Sequence, residues 1–287
     1  MYLSLFREAK MATKKNALSK GKPIRSDIAW STPDRIGVMG YDLVNDLIGK
    51  INLGDMSFLE ITGRLPNARE SKMFNAMLVT SVEHGVVPST LATRLTWAGA
   101  PESLQGAVAA GLLGLGTVFN GSTEGAAKML KAALPDPRAK VSLPELAERV
   151  VGERYRAGRA IPGIGHPIHK PVDPRAARLF AIGRANGFSG NYVKLMQLIQ
   201  KRAEKVYAKA LPVNSTGAKG AICCEMGLPP TIVRGLGVIS RAVGLVGHIL
   251  EESRNPMALE IWHRIEEEAS QHTRGRFTKH LARRRRS

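Results

Sequence analysis

The chain has 287 residues, 44% of them hydrophobic and 23% charged, and carries a formal net charge of +18. A chain of that size buries a substantial core without disulfides or metals. Only 5% of residues are aromatic, a balance that favours close helix packing over strands, and no apolar run approaches the ~20 residues that a membrane span requires. The charge gathers at the ends: residues 1–35 hold eight Lys/Arg against three acids, and residues 274–287 hold seven and no acid. Both ends read as basic, solubilising segments, the first a loosely ordered arm and the second a tail ending in Arg283 to Arg286, rather than as a nucleic-acid interface.

From Tyr41 the apolar spacing is helical. A first helix begins near Asp42 and ends near Gly49, and a second runs from Ser57 to Thr62, stopped by Gly63 and Pro66. Glu70 to Val86, Thr90 to Trp97 and Pro101 to Val118 follow, then 122–133 and 143–157, separated by the breaker Pro135-Asp136-Pro137. The stretch Ala107 to Gly116 is the longest apolar candidate, and its glycines interrupt it. Ile161 to Pro174 is rich in Pro and Gly and reads as a loop. Helices resume over 174–187 and 191–210, the latter with Val193, Met196, Ile199, Ala203 and Val206 on one face. A turn at Leu211 to Ser215, a helix to Met226, a Gly-Leu-Pro-Pro break and a helix from Thr231 to about Leu250 complete the pattern, and the class is all-α. Cys223 and Cys224 are adjacent, which suits neither a disulfide nor a metal site, so both read as small buried residues.

Polar residues interrupt the apolar helices in three places. Glu83-His84-Gly85 ends one helix, Pro162-Gly163-Ile164-Gly165-His166 leads on to Asp173-Pro174-Arg175, and Val213-Asn214-Ser215-Thr216-Gly217 opens another helix. A lone His at a helix end is commonly a dipole partner. A His after Gly-x-Gly is different, because glycine backbone N–H groups can cradle an anion while the His donates a hydrogen bond or a proton. Arg241 stands alone among apolar residues, where a buried charge needs a partner, and a carboxylate fits its fork. No spacing of His, Cys, Asp or Glu suggests a metal ligand set.

These segments together resemble the citrate synthase family. Gly63-Arg64-Leu65-Pro66 with Glu70, Glu83-His84-Gly85 with Ser89-Thr90, Gly163-Ile164-Gly165-His166 through Lys170 and Asp173-Pro174-Arg175-Ala176, Asn214 to Gly220, and Ser240-Arg241-Ala242 with Gly244 and His248 follow its motifs in unbroken order over roughly residues 40–260. The resemblance implies a helical fold with a large domain (36–121 and 229–273) and a small domain (122–228) that closes over substrate, in a homodimer or higher oligomer. It implies that His84 and His166 contact the oxaloacetate or citrate moiety. It implies that Arg175, Arg241 and, from across a dimer interface, Arg254 bind carboxylates. Pro162, Gly163, Ile164, Gly165 and Lys170 would contact coenzyme A. The ligands implied are a CoA thioester and a di- or tricarboxylate, with no tightly bound cofactor, no metal and no membrane partner, and the expected compartment is the cytoplasm.

Two departures shape the reading. Phe119 stands where citrate synthases have the His of a Pro-Leu-His-Gly-Gly segment, and Phe119 through Met129 instead resembles the citryl-CoA lyase module of ATP-citrate lyase. Thr216 stands where the family has its catalytic Asp, and a Thr hydroxyl is far too weak a base near neutral pH. Lys219, three residues on, could substitute if burial depressed its pKa. Three readings stay open: a citryl-CoA lyase, or the reverse condensation, with a rewired proton donor; an acyltransferase acting on another acyl-CoA; and a CoA- or carboxylate-binding relative without Claisen chemistry.

Overall fold

The computed structural model describes residues 24–118 and 121–284. The described residues up to Lys50 form one compact unit and those from Ile51 a second. Of the sequence expectations, the bulk of the basic arm, Phe119 and the last three residues of the tail lie outside the described residues.

In the first unit three short strands, β1 (Ala29–Ser31), β2 (Ile36–Val38) and β3 (Tyr41–Asp42), form an antiparallel sheet in that order. Trp30 lies opposite Gly37, and Gly37 opposite Asp42. The sequence reading carried the loose arm to residue 35 and saw only helix after it. What it missed is a turn in which Thr32 N–H donates to Arg35 O at 2.8 Å, reversing the chain between β1 and β2. Asp42 then caps a π-helical turn, Leu43–Leu47, by accepting the N–H groups of Val44 and Asn45.

The second unit is built on helices, with one isolated bridge between Ile164 and Val213 among the described residues: α1 (Leu53–Thr62), α2 (Ala68–Val82), α3 (Pro88–Gly99), α4 (Leu104–Leu113), α5 (Gly121–Ala133), α6 (Leu143–Arg156), α7 (Pro174–Ala185), α8 (Asn191–Tyr207), α9 (Ser215–Glu225), α10 (Pro230–Arg254) and α11 (Ala258–Arg284). Side-chain caps set many of the starts, as the handful of unpaired N–H groups at a helix N-terminus requires. Asn67 and Glu70 form a reciprocal capping box on α2, Asp173 caps α7, and Asn214 caps α9. The expected helix over 101–118 is shorter, because α4 ends at Gly114. The sequence reading foresaw no α11, since its run of charged residues has no apolar face to mark it. Its exposed surface carries i,i+4 pairs such as Arg264–Glu260 instead.

The core is built from Met73, Phe74 and Met77 of α2, Leu130 of α5, Leu179 of α7, Met196 and Ile199 of α8, and Ile222 of α9. Helix α9 packs against α5, α7, α8 and α10, which buries it from Gly217 to Cys224. Cys223 and Cys224 are buried and free, and burial pushes both thiols up to about 12. The longest apolar stretch expected from the sequence, Ala107 to Gly116, falls in and just after α4. Helix α10 is the long one, and by length and composition it could cross a membrane. One face of it packs here against α2, α3, α4, α5 and α9, while Val243, Val246 and Leu250 are exposed.

Candidate active site

A cavity of about 370 Å³ opens where the ends of α2, α7 and α9 meet the middle of α10. His84, Gly165, His166, Arg175, Thr216 and Arg241 all line it, although they are spread over more than 150 positions of sequence. The other predicted residues lie elsewhere. Pro162, Gly163 and Ile164 are absent from its lining, Lys170 is exposed, and Arg254 is exposed at the end of α10.

The loop carrying His166 is tied to the start of α9. Gly165 N–H donates to Pro212 O at 2.7 Å, Asn214 N–H to Gly163 O at 3.0 Å, and the Asn214 amide to Gly165 O at 2.7 Å. Gly163, at φ +83°, lies so close to α9 that a Cβ there would meet Gly217 Cα at 2.4 Å. Only glycine satisfies both the left-handed backbone and that approach. The buried carboxylate of Asp173 completes the tie, accepting from Ser215 N–H at 2.9 Å and from the Arg175 guanidinium at 2.9 and 3.1 Å. Burial alone would raise this carboxyl's pKa, but those donors outweigh it and hold it below the usual range. In the sequence Asp173 stands in its motif with nothing to signal this role.

The ring of His166 has a defined polarity. Its Nδ1 accepts the backbone N–H groups of Ile168 (3.1 Å) and His169 (3.0 Å). In the neutral ring the proton therefore sits on Nε2, which makes Nε2 a donor. Burial and then the Arg175 charge hold its pKa below the ordinary histidine value, so the ring is neutral near pH 7. Arg175 Nη2 lies 3.0 Å from that Nε2, setting one donor against another. An oxygen placed between them would accept from both.

Arg241 reaches the same space from α10. Its Nε and Nη1 are buried with no partner among the described residues. Burial lowers its pKa, opposed by Glu83. Close approach of α10 to the end of α2 positions it, because a Cβ on Gly244 would meet Val82 O at 2.2 Å. The same contact steadies the His84 segment. Glu83 accepts the N–H groups of His84 and Gly85 at 2.8 Å and lies 3.0 Å from His248 Nε2. His248 in turn meets buried Arg94, which pairs with Glu252 at 2.8 Å. Nothing in the sequence signals this network apart from His248 itself.

His84, His166 and His169 bring ring nitrogens within 4.8 Å of one another, a juxtaposition the sequence spacing hides. Electrostatics favour an anion here rather than a metal ion. Burial first, then Arg175 and Arg241, lower the affinity of His84 for a proton, and the same fields oppose any cation. One guanidinium with unmet donors, a second facing a His N–H, and a neutral His84 form a receptor for carboxylate and hydroxyl or carbonyl oxygens.

Thr216 and Lys219 occupy the α9 side. The Thr216 hydroxyl donates to Asn214 Oδ1 at 2.6 Å and accepts from Ser122 at 3.0 Å. Lys219 is 6% exposed, lines the cavity, and donates from Nζ to Ser81 Oγ. Ser81 was not foreseen. On the far side of the His166 loop, Ile164 lines a second hollow of about 340 Å³ together with Tyr155, Arg159, Tyr207 and Lys209.

The profile of the citrate synthase C-terminal domain family matches residues 52–263. The solved citryl-CoA lyase of Hydrogenobacter thermophilus is similar at 33% identity and a TM-score of 0.72, over 80% of this chain and 87% of that one. The probable ATP-citrate synthase of Dictyostelium discoideum is 25% identical over 87% of this chain and 42% of its own length. Citrate synthase 2 of Bacillus subtilis is 26% identical over 68% of this chain and 50% of its own. The chain thus spans about half the length of the curated relatives it matches.

Proposed function

The chain belongs to the citrate synthase family, and from that premise we propose that it cleaves citryl-CoA, or a related 3-hydroxy-3-carboxyacyl-CoA, to acetyl-CoA and oxaloacetate, or runs the reverse condensation. The observation that carries the reading is Arg241, whose buried Nε and Nη1 have no partner among the described residues beside Arg175 and His166. A polycarboxylate supplies the missing acceptors.

In this reading Arg241, Arg175 and His84 hold the carboxylates. His166 Nε2–H donates to the substrate hydroxyl oxygen and stabilises its charge as the carbon–carbon bond breaks and the ketone forms. The bond electrons pass to the thioester as the enolate of acetyl-CoA. The second hollow suits the nucleotide end of the thioester: Tyr155 and Tyr207, 5.2 Å apart edge to face, offer a base apolar surface, and Arg159 and Lys209 offer cations to phosphates. Closure of residues 122–228 over the substrate and a homodimer that brings Arg254 of a second copy to the site belong to the same proposal. So does the coenzyme A thioester as substrate rather than resident cofactor.

Thr216 at the position of the family's catalytic carboxylate favours a second reading, a protein that binds a CoA thioester or carboxylate without turning it over. Incubation with citryl-CoA separates the two. Formation of acetyl-CoA and oxaloacetate in equal amounts supports cleavage, and tight binding without either product supports the second reading.

A further inference from the structure

We propose that Lys219 is the proton-transfer residue of this site, carrying one proton between the substrate hydroxyl oxygen and the carbon that becomes the methyl group of acetyl-CoA. The inference rests on the cleavage reading above.

The position is the first argument. Lys219 lies one turn beyond Thr216 on α9, on the side of the helix that lines the cavity. Its ammonium is pinned at that wall by Ser81 Oγ, in the last turn of α2. A buried lysine on a helix enclosed by four others is costly, and the cavity is the place where its charge has a use.

Elimination is the second. Thr216 already directs its hydroxyl proton to Asn214. The carboxylate of Asp173 is taken up by Arg175 and the Ser215 N–H. The thiol of Cys223, pushed up to about 12, stays protonated. His166 Nδ1 is filled by two backbone N–H groups, leaving Nε2 as a donor. Lys219 can exist in both protonation states near neutral pH. Its pKa is brought down to about 8, first by burial, with Arg175 and Arg241 adding to the effect and Asp173 opposing it. The charged groups facing it are Asp173 and Arg175 at the start of α7 and Arg241 on α10; from α9 itself comes only the neutral Cys223 thiol. On α5 the nearest acid, Glu124, is paired with Lys128 and Arg234, and at the end of α2 Glu83 is paired with His248.

The chemistry closes on one group. The neutral amine takes the hydroxyl proton as the carbon–carbon bond breaks, leaving the ketone of oxaloacetate and the enolate of acetyl-CoA. The resulting ammonium gives that proton to the enolate carbon, which restores the amine and completes the methyl group. Oxygen and leaving carbon are bonded to the same substrate carbon, so a single Nζ serves both with little movement. Nothing else is consumed.

The test measures citryl-CoA cleavage by the natural chain, Lys219→Met and Lys219→Ala. The expected result is a fall in kcat of ~100-fold or more in both variants, the scale of a lost general acid–base, with KM changed only a few-fold. The natural rate should rise with pH through about 8, and methylamine should restore turnover to Lys219→Ala. A Lys219→Met enzyme that keeps most of the natural kcat overturns the inference and leaves the cleavage reading standing. If neither variant folds, the natural pH profile decides, and a rate that is flat from pH 6.5 to 9.5 overturns it. An inactive natural chain sinks the cleavage reading and this inference together.

Discussion

Replacing Arg241 by Met separates what the cavity costs from what it binds. The guanidinium carries two buried donor nitrogens with no partner among the described residues. A buried donor left unmet costs ~1–3 kcal/mol. Arg241 is only half-buried and water reaches part of it, so we take the low end and assign ~1–2 kcal/mol to the pair. Met keeps the length and apolar bulk of the stem. The variant without ligand should therefore be more stable, and at ~2–4 °C per kcal/mol its Tm should rise by roughly 2–8 °C. Oxaloacetate should behave in the opposite way. Truncating one member of a buried charge pair costs ~2–5 kcal/mol of affinity, about 30-fold to several thousand-fold in Kd. Thermal unfolding with and without millimolar oxaloacetate reads both effects: a rise in Tm without ligand, and loss of the shift that ligand produces in the natural chain. A variant that melts lower than the natural chain, or that oxaloacetate stabilises equally well, would refute the reasoning.

Three further outcomes follow from the geometry. His166→Ala should lower kcat by ~100-fold or more while far-UV circular dichroism stays unchanged. Because burial and Arg175 lower the affinity of His166 for a proton, protonation of its ring should add a separate inflection on the acid side of 6.5, below the rise through about 8 that Lys219 sets. Gly163→Ala places a Cβ against Gly217 Cα at 2.4 Å on a backbone at φ +83°. Strain of that kind costs ~1–3 kcal/mol, so a fall in Tm with a raised KM for the thioester is expected, and an unchanged KM would separate the loop from CoA binding. Lys219→Met should be more stable than the natural chain at pH 7. The native amine, at about 8 against 10.5 for the ordinary side chain, binds fewer protons than the unfolded chain between those values. Natural stability should therefore gain on the variant as pH rises from 8 to 10.5, and urea unfolding across that window measures it.

How much of this the sequence discloses depends on the range of the interaction. The amphipathic face of α8 and the breaks at Pro135 and Pro137 are local, and α5, α6 and α8 emerge close to where the periodicity puts them. The loop 162–166 and the segment 173–175 announce themselves through glycine, proline and charge, and His166 and Arg175 meet in the cavity at 3.0 Å. What stays hidden is contact across distance. Ser81 gives no sign in α2 that it will accept from a lysine 138 positions on, and Arg94 reads as an ordinary helix residue until His248 and Glu252 arrive from α10. Lys219 shows its position beside Thr216 in the sequence but not its burial, which comes from four helices closing around α9. Helix α11 is missed for the opposite reason: it buries too little to leave an apolar pattern.

The most direct measurement of the central claim is the stoichiometry of products from citryl-CoA with the purified natural chain, with Thr216→Asp run beside it. The account predicts that the natural chain forms acetyl-CoA and oxaloacetate one to one, because a buried amine on α9 does the work that the family gives to a carboxylate. Turnover by Thr216→Asp alone, with the natural chain binding citryl-CoA and leaving it intact, would contradict it.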